Sequence, residues 1–245
     1  MPKVSPEHSE ARRQQILDAA LQCFSKHGFH VTTMKDIMKA SGLSAGAIYN
    51  YFSSKAEIVD AAWELVRENG LAGLAMRDLG QKVGMKAQSI YSYFNGKHDI
   101  YDAMFREAYL EFAATTLIGE HDEADGSTGR IAMRRAARSF FEFCTSDPVR
   151  YQLLFQRTIP GFVPSDDSYV VALGAYQAMQ EHFASLGIAD AAAIDLWTAV
   201  LTGLTDQQIS NDPGGDRWER IIDTAVDMVL HEIAPHLLEP TQPGD

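Results

Sequence analysis

The sequence predicts an all-α protein, and three observations carry that prediction. Apolar residues recur every three to four positions along nearly every segment, the spacing of one helix face. No segment shows the sustained apolar–polar alternation, bounded by turns, of a half-buried strand. The chain also repeats itself: shifted by 42 residues without a gap, positions 16–62 match positions 58–104 at 17 of 47 sites. A helical solenoid would need three or more such units, and only two occur.

The elements follow in order. "EARRQQILDAALQCFSKHG" sets Ile16, Ala19, Ala20, Cys23 and Phe24 on one stripe, and Gly28 ends it as a C-cap. "TTMKDIMKASG" reads as a short helix that Thr33 can cap by accepting a first-turn amide and that Gly42 closes. Leu43 and Ser44 then turn into "AGAIYNYF". Two short helices around a glycine-containing turn make a helix-turn-helix candidate. Beyond residue 97 the helices lengthen, to 97–118, 128–146, 148–158, 167–187, 190–211 and 214–235. The connectors "GEHDEADGS", "IPGFVPSDD" and "DPGG" carry turn chemistry.

A chain of 245 residues with 46% hydrophobic and 22% charged residues is globular rather than disordered. Its formal charge of −12 is unevenly spread. Residues 1–118 hold 13 Lys and Arg against 13 Asp and Glu, whereas residues 119–245 hold 8 against 20. A neutral front and an acidic back are compatible with a nucleic-acid partner at the front alone. Cys23 and Cys144 are far apart and in no metal-ligand spacing, so both read as packing residues. The N-terminal stretch has no apolar signal region, and no run approaches the ~18 apolar residues of a membrane span. Cytoplasmic location is the expectation.

The unit "ILDAALQCFSKHGFHVTTMKDIMKASGLSAGAIYNYFSSKAEIVDA" resembles the DNA-binding domain of the tetracycline-repressor (TetR) family of bacterial transcription regulators. The "ILDAA" helix, the Gly28-Phe29 break, Thr33-Met34-x-Asp36-Ile37 and "GLSAGAIYNYFSSK" carry the resemblance. "IVDAAWELVRENGLAGLAMRDLGQKVGMKAQSIYSYFNGKHDIYDAM" resembles the same domain equally well. A recognition helix needs short side chains at its start so that the backbone can approach base edges in the major groove. Ser44, Ala45 and Gly46 suit this in the first unit; Lys86, Ala87, Gln88 and Ser89 do in the second. Gln88 could pair with adenine, and Lys86 with guanine or phosphate. Tyr49 and Tyr91 would reach phosphate, a positioning contact, while Lys55 and Lys97 open the following helices, where a dipole already favours an anion. Ile48, Phe52, Ile90 and Phe94 read as core.

The second unit departs from the first where Ala75 replaces the capping Thr33, and Gly73 and Gly80 would loosen its second helix if they fall in the interior. Residues 55–70 would serve as the last helix of unit one and the first helix of unit two together. Ile58, Ala61 and Ala62 would then be wanted by two small cores, with Val59, Trp63, Leu65 and Val66 widening the apolar surface.

No P-loop, GxSxG, HExxH or GxGxxG is present in the C-terminal part, so an enzyme is disfavoured and no cofactor or metal is expected. His121, Asp122 and Glu123 read as solvated, and His231 and His236 are poorly spaced for a metal. Phe140, Phe143, Tyr151, Phe155, Tyr176, Phe183 and Trp197 could line a ligand cavity between helices. Arg134, Arg138, Arg150, Gln156 and Arg157 could meet a polar group on that ligand or simply face solvent. Leu196, Val200, Leu204, Ile221, Ala225 and Met228 stripe the last two helices, as a two-fold four-helix seam requires.

The expected layout is a helix-turn-helix unit at 10–58, a second at 55–104 sharing helix 55–70, a ligand-binding and dimerisation domain at 105–236, and flexible tails at 1–9 and 237–245. What the resemblance implies is a homodimeric repressor that binds a palindromic double-stranded DNA operator and is released by an unknown small molecule. Two alternatives stand beside it: only one headpiece works, or the chain is a ligand- or partner-binding module that has lost DNA affinity.

Overall fold

The computed structural model describes residues 6–27, 33–44, 48, 55–116 and 129–238. Among them every regular element is a helix. In chain order these are α1 (Pro6–His27), α2 (Met34–Ser41), α3 (Lys55–Asn69), α4 (Met76–Lys82), α5 (Ala87–Ile90) and α6 (Lys97–Thr116). There follow α7 (Gly129–Ser146), α8 (Pro148–Phe155), α9 (Asp166–Ser185), α10 (Ala191–Asn211) and α11 (Ile222–Ile233). Short 3-10 turns sit at Leu71–Gly73, Glu219–Ile221 and Pro235–Leu238. The chain divides into two compact units, residues 1–65 with 74–95, and residues 66–73 with 96–245.

The first unit contains copy one and residues 58–65 and 74–95 of copy two. In copy one, α1 packs on α2. Gln15 Nε2 on α1 donates to the Ser41 carbonyl at 2.8 Å, tying the start of the buried stripe to the end of α2. The expected stripe is buried at Ile16, Ala19 and Cys23, and Ile48 is 3% exposed. α1 starts at Pro6, so residues 6–9 belong to a helix rather than to a loose tail. Proline suits the first helical position because the amide it lacks has no helical partner there.

In copy two, α4 packs against α5, with Leu74, Leu79, Ile90 and Phe94 buried. Lys82 on α4 pairs with Glu64 on α3 at 2.8 Å. The α3 residues Ile58, Val59, Ala61, Ala62, Trp63, Leu65 and Val66 are all buried. At 100° per residue they cover an arc of roughly 200°, about twice that of an ordinary one-sided helix.

The second unit is a helical bundle centred on α7, which packs against α6, α8, α10 and α11, while α9 lies on α6. Its core gathers Met133, Ala137, Phe141, Phe183, Trp197, Ile222 and Leu230, with Leu237 and Leu238 packed against it. Residues 237 and 238 therefore belong to the packed unit rather than to a loose tail. Ion pairs line the α7–α11 seam: Arg130 and Arg134 both grip Asp227, and Arg138 Nε reaches Asp223 at 3.0 Å. Hydrogen bonds from Arg130, ahead of the smaller effect of Arg134, hold the Asp227 carboxyl at about 2. Burial pushes the Cys144 thiol well above its usual range, as expected of a packing residue.

Candidate nucleic-acid interface and effector cavity

The two copies turn at equivalent glycines but close the turn with different hydrogen bonds. Gly42 and Gly84, 42 residues apart, both adopt φ of +69°, a left-handed conformation that glycine reaches without steric cost. Each follows the second helix of its copy. Gly42 N–H donates to the Met38 carbonyl at 2.9 Å, and Met85 N–H donates to the Gly80 carbonyl at 2.7 Å.

The helix starts differ. The Thr33 backbone N–H and its hydroxyl both donate to the Asp36 carboxylate, at 2.9 and 2.6 Å. The two residues close a capping box at the start of α2, with the Thr33 side chain also accepting from the first-turn backbone. Copy two keeps the aspartate as Asp78, but Ala75 has no hydroxyl to offer and Asp78 faces Arg77 at 3.4 Å instead. Gly73 falls in the 3-10 turn before α4 and does not loosen that helix. Gly80 does lie inside α4, yet it is buried, and an added Cβ would stand 2.8 Å from the Met85 carbonyl oxygen and 3.0 Å from the Ala87 amide. This glycine lets α4 approach the start of α5, which compensates for its low helix propensity.

Four expected contact residues of copy two, Lys86, Gln88, Ser89 and Tyr91, stand on one short segment. Lys86 precedes α5 in extended conformation and is exposed with Gln88, while Ser89 is half-buried. Tyr91 closes the segment at 48% exposure, its phenol free to extend from a helix whose inner face is pinned by Ile90. Lys97 is exposed as the first residue of α6. In copy one, Thr33 and Ser44 are exposed, and Ala45, Gly46 and Tyr49 lie outside the described residues. Lys55 opens α3 as an exposed residue, with Nζ 5.2 Å from the centre of the Phe94 ring. It therefore touches the copy that follows it in sequence, a contact with no signal in the repeat itself.

In the second unit a cavity of about 270 Å³ opens between α6, α7, α9 and α10. Phe140, Phe155, Tyr176, Phe183 and Trp197 line it. Phe143 and Tyr151 do not: the Arg150 guanidinium lies 3.8 Å from the Phe143 ring centre, and the Tyr151 hydroxyl donates to Asp206 at 2.9 Å. Tyr109 and Phe112 on α6 and Thr198 and Thr202 on α10 complete the lining. Tyr109 and Phe112 follow the end of the repeat at residue 104 at helical spacing, a signal that the headpiece reading of this helix obscured.

The arginines expected near a ligand are occupied. Arg134 and Arg138 hold Asp227 and Asp223, and Arg150, 8% exposed, binds Glu111 at 2.7 Å and the Phe143 carbonyl at 2.9 Å. Gln156 donates to Asp206 at 2.8 Å. With Arg157 it lines a separate cavity of about 460 Å³ beside Phe162 and Tyr169. Burial raises the Tyr109 phenol, on the wall of both cavities, to about 12, so it stays protonated at neutral pH.

Among the described residues no helix is long and apolar enough to cross a membrane, and no cluster of His, Cys, Asp and Glu could hold a metal ion. His121, Asp122 and Glu123 lie outside those residues.

Comparison with known proteins bears on both copies. The family model for bacterial regulatory proteins of the tetR family matches residues 16–60 and again residues 58–104. An uncharacterized helix-turn-helix transcriptional regulator of Bacillus subtilis, YfiR, is 50% identical over 56 residues, 23% of this chain and 27% of that protein. The helix-turn-helix transcriptional repressor Rv1474c of Mycobacterium tuberculosis is 47% identical over 55 residues, 22% of this chain and 29% of that protein. The chain thus spans just over a quarter of the length of these curated relatives. At the level of fold, a TetR variant from Acinetobacter baumannii, solved in complex with minocycline, superposes with a TM-score of 0.55 at 19% identity, covering 76% of this chain and 98% of its own. The chain thus carries, twice in order, a region similar to the tetR family of bacterial regulatory proteins, ahead of a helical bundle with a TetR-like fold.

Proposed function

We propose that the protein is a sequence-specific DNA-binding transcriptional regulator, a repressor released from its operator by a small molecule, working as a homodimer with tandem headpieces that share α3. The observation that carries this reading is copy two. Its Gly84 turn sets Lys86, Gln88 and Tyr91 outward on a segment anchored by Ile90, as major-groove docking requires. The cavity between α6, α7, α9 and α10 supports the effector role. Exposed Leu196, Ile221 and Met228, the last at 71%, with half-buried Val200, Leu204 and Ala225, support a seam between two copies. Two headpieces per subunit would engage more DNA than one palindrome of two half-sites.

A salt series on DNA flanking its own gene tests the reading, because neutralised phosphates release counterions. Log affinity should fall linearly with log salt, and Lys86→Ala should reduce that slope by about 1. Salt-insensitive binding, or none, would leave a ligand-binding module without DNA affinity. Tyr49→Ala and Tyr91→Ala should each weaken operator binding if both headpieces dock. An effect confined to one of them would identify the idle copy.

A further inference from the structure

The lining of the 270 Å³ cavity is specific in what it lacks. Among the described residues that line it, contributed by five helices, none carries a charge. The polar groups are hydroxyls and the Trp197 indole N–H, and the three threonine hydroxyls are already committed as donors. Thr116 Oγ1 donates to the Phe112 carbonyl at 2.6 Å, Thr198 Oγ1 to the Ile194 carbonyl at 3.0 Å, and Thr202 Oγ1 to the Thr198 carbonyl at 2.7 Å. A threonine hydroxyl that spends its hydrogen on the helix keeps only lone pairs for a guest. The walls are helical, so their amides are held within the helices.

The rest of the wall is aromatic. Phe112, Phe140 and Phe155 meet one another with ring centres 5.4 to 6.1 Å apart, and Phe183 meets Trp197 edge-on at 5.7 Å. Flat rings presented edge and face favour a flat aromatic guest. An ion of either sign would lose its hydration here without gaining a counter-charge. The neighbouring 460 Å³ cavity, with Arg157, Asp166 and Gln156 in its wall, shows what a polar-tolerant site in the same unit looks like.

We infer that the effector of this regulator is an uncharged, mainly aromatic molecule about the size of two fused or linked rings, carrying a hydrogen-bond donor that the Thr198 and Thr202 oxygens accept. This rests on the reading of the cavity as the effector site. Anionic and cationic molecules of the same shape are excluded.

The test uses the full chain and three probes of one skeleton: biphenyl, biphenyl-4-ol and biphenyl-4-carboxylate, titrated at pH 7 by calorimetry. Biphenyl-4-ol should bind tightest, and the carboxylate at least about tenfold more weakly than either neutral probe. Thr198→Val with Thr202→Val should erase the advantage of the alcohol over biphenyl while biphenyl itself still binds. Met179→Lys, which puts a cation in the wall, should reverse the preference towards the carboxylate. Equal or tighter binding of the carboxylate to the unaltered chain overturns the inference, as does no saturable binding of any probe. A gel shift on the same samples separates the two readings. Intact DNA binding without probe binding sinks only the effector chemistry. Probe binding by a chain that never binds DNA sinks only the regulator.

Discussion

Where both are described, the two copies of the repeat share a turn and differ in its supports. Both turn at a glycine with φ of +69°, and the isoleucine six residues on, Ile48 or Ile90, is buried in each. Copy one secures the start of its second helix through Thr33 and Asp36, whereas copy two has Ala75 there and an aspartate turned to Arg77. Copy two instead has Gly80 where copy one has Met38, and that glycine brings α4 against the backbone at Met85 and Ala87. A cap is therefore exchanged for a close helix–helix approach. A repeat can keep its shape while the interactions that hold it change, because the turn geometry constrains the backbone more narrowly than either support does.

That difference can be broken most severely at Gly80. Gly80→Met, which copies the residue of the first unit, should cost about 3 kcal/mol or more in denaturant unfolding, because the clash is with backbone that has no flexible side chain to yield. Should it be tolerated, the close approach is not what supports copy two. Next in size, Gly42→Ala and Gly84→Ala should each cost about 1–2 kcal/mol, since a Cβ disfavours the left-handed region although neither site is crowded. Equal losses would establish that the shared turn is equally needed in both copies. A smaller change in the opposite direction is expected from Ala75→Thr, which offers Asp78 the hydroxyl it lacks. It should stabilise copy two by about 0.5–2 kcal/mol, and Thr33→Ala should destabilise copy one by a similar amount. Amide exchange of α2 and α4 would read each separately.

A control outside the two copies concerns Asp227. Its carboxyl is held at about 2, below the ordinary carboxylate value, so it binds its proton less readily when folded. The stability it contributes is present above pH ~4 and is lost as pH falls from there through about 2. Asp227→Asn should flatten the acid limb of the stability profile and leave the amide exchange of α2 and α4 unchanged.

Much of this was legible before any coordinates. The 42-residue shift identified both copies, and the aligned glycines located both turns. The 3.6-residue periodicity set the long helices to within a few residues, as with 97–118 against Lys97–Thr116 and 190–211 against Ala191–Asn211. The helix expected over 214–235 is shorter, Ile222–Ile233, because residues 219–221 wind as a 3-10 turn before it. Periodicity does not report how tightly a turn is wound.

The cavity was legible only in part. Aromatic content predicted that rings would meet, but not which rings would leave a space: Phe140 and Phe155 line it, while Phe143 and Tyr151 sit behind the wall with Arg150 and Asp206. The arginines were the least readable. Arg134, Arg138 and Arg150 look equally available in a sequence, and their carboxylate partners are tens of residues away.

The sequence by itself determined the helices, the 42-residue repeat and the glycines its turns require, because those depend on periodicity and on backbone conformations set within a few residues. Tertiary structure alone decided that Gly80 is a contact rather than a weakness, that α3 is buried around about half its circumference, and that the described cavity lining carries no charged residue. Each of those depends on which surfaces distant segments bring together, and local sequence does not encode a neighbour that arrives from far along the chain.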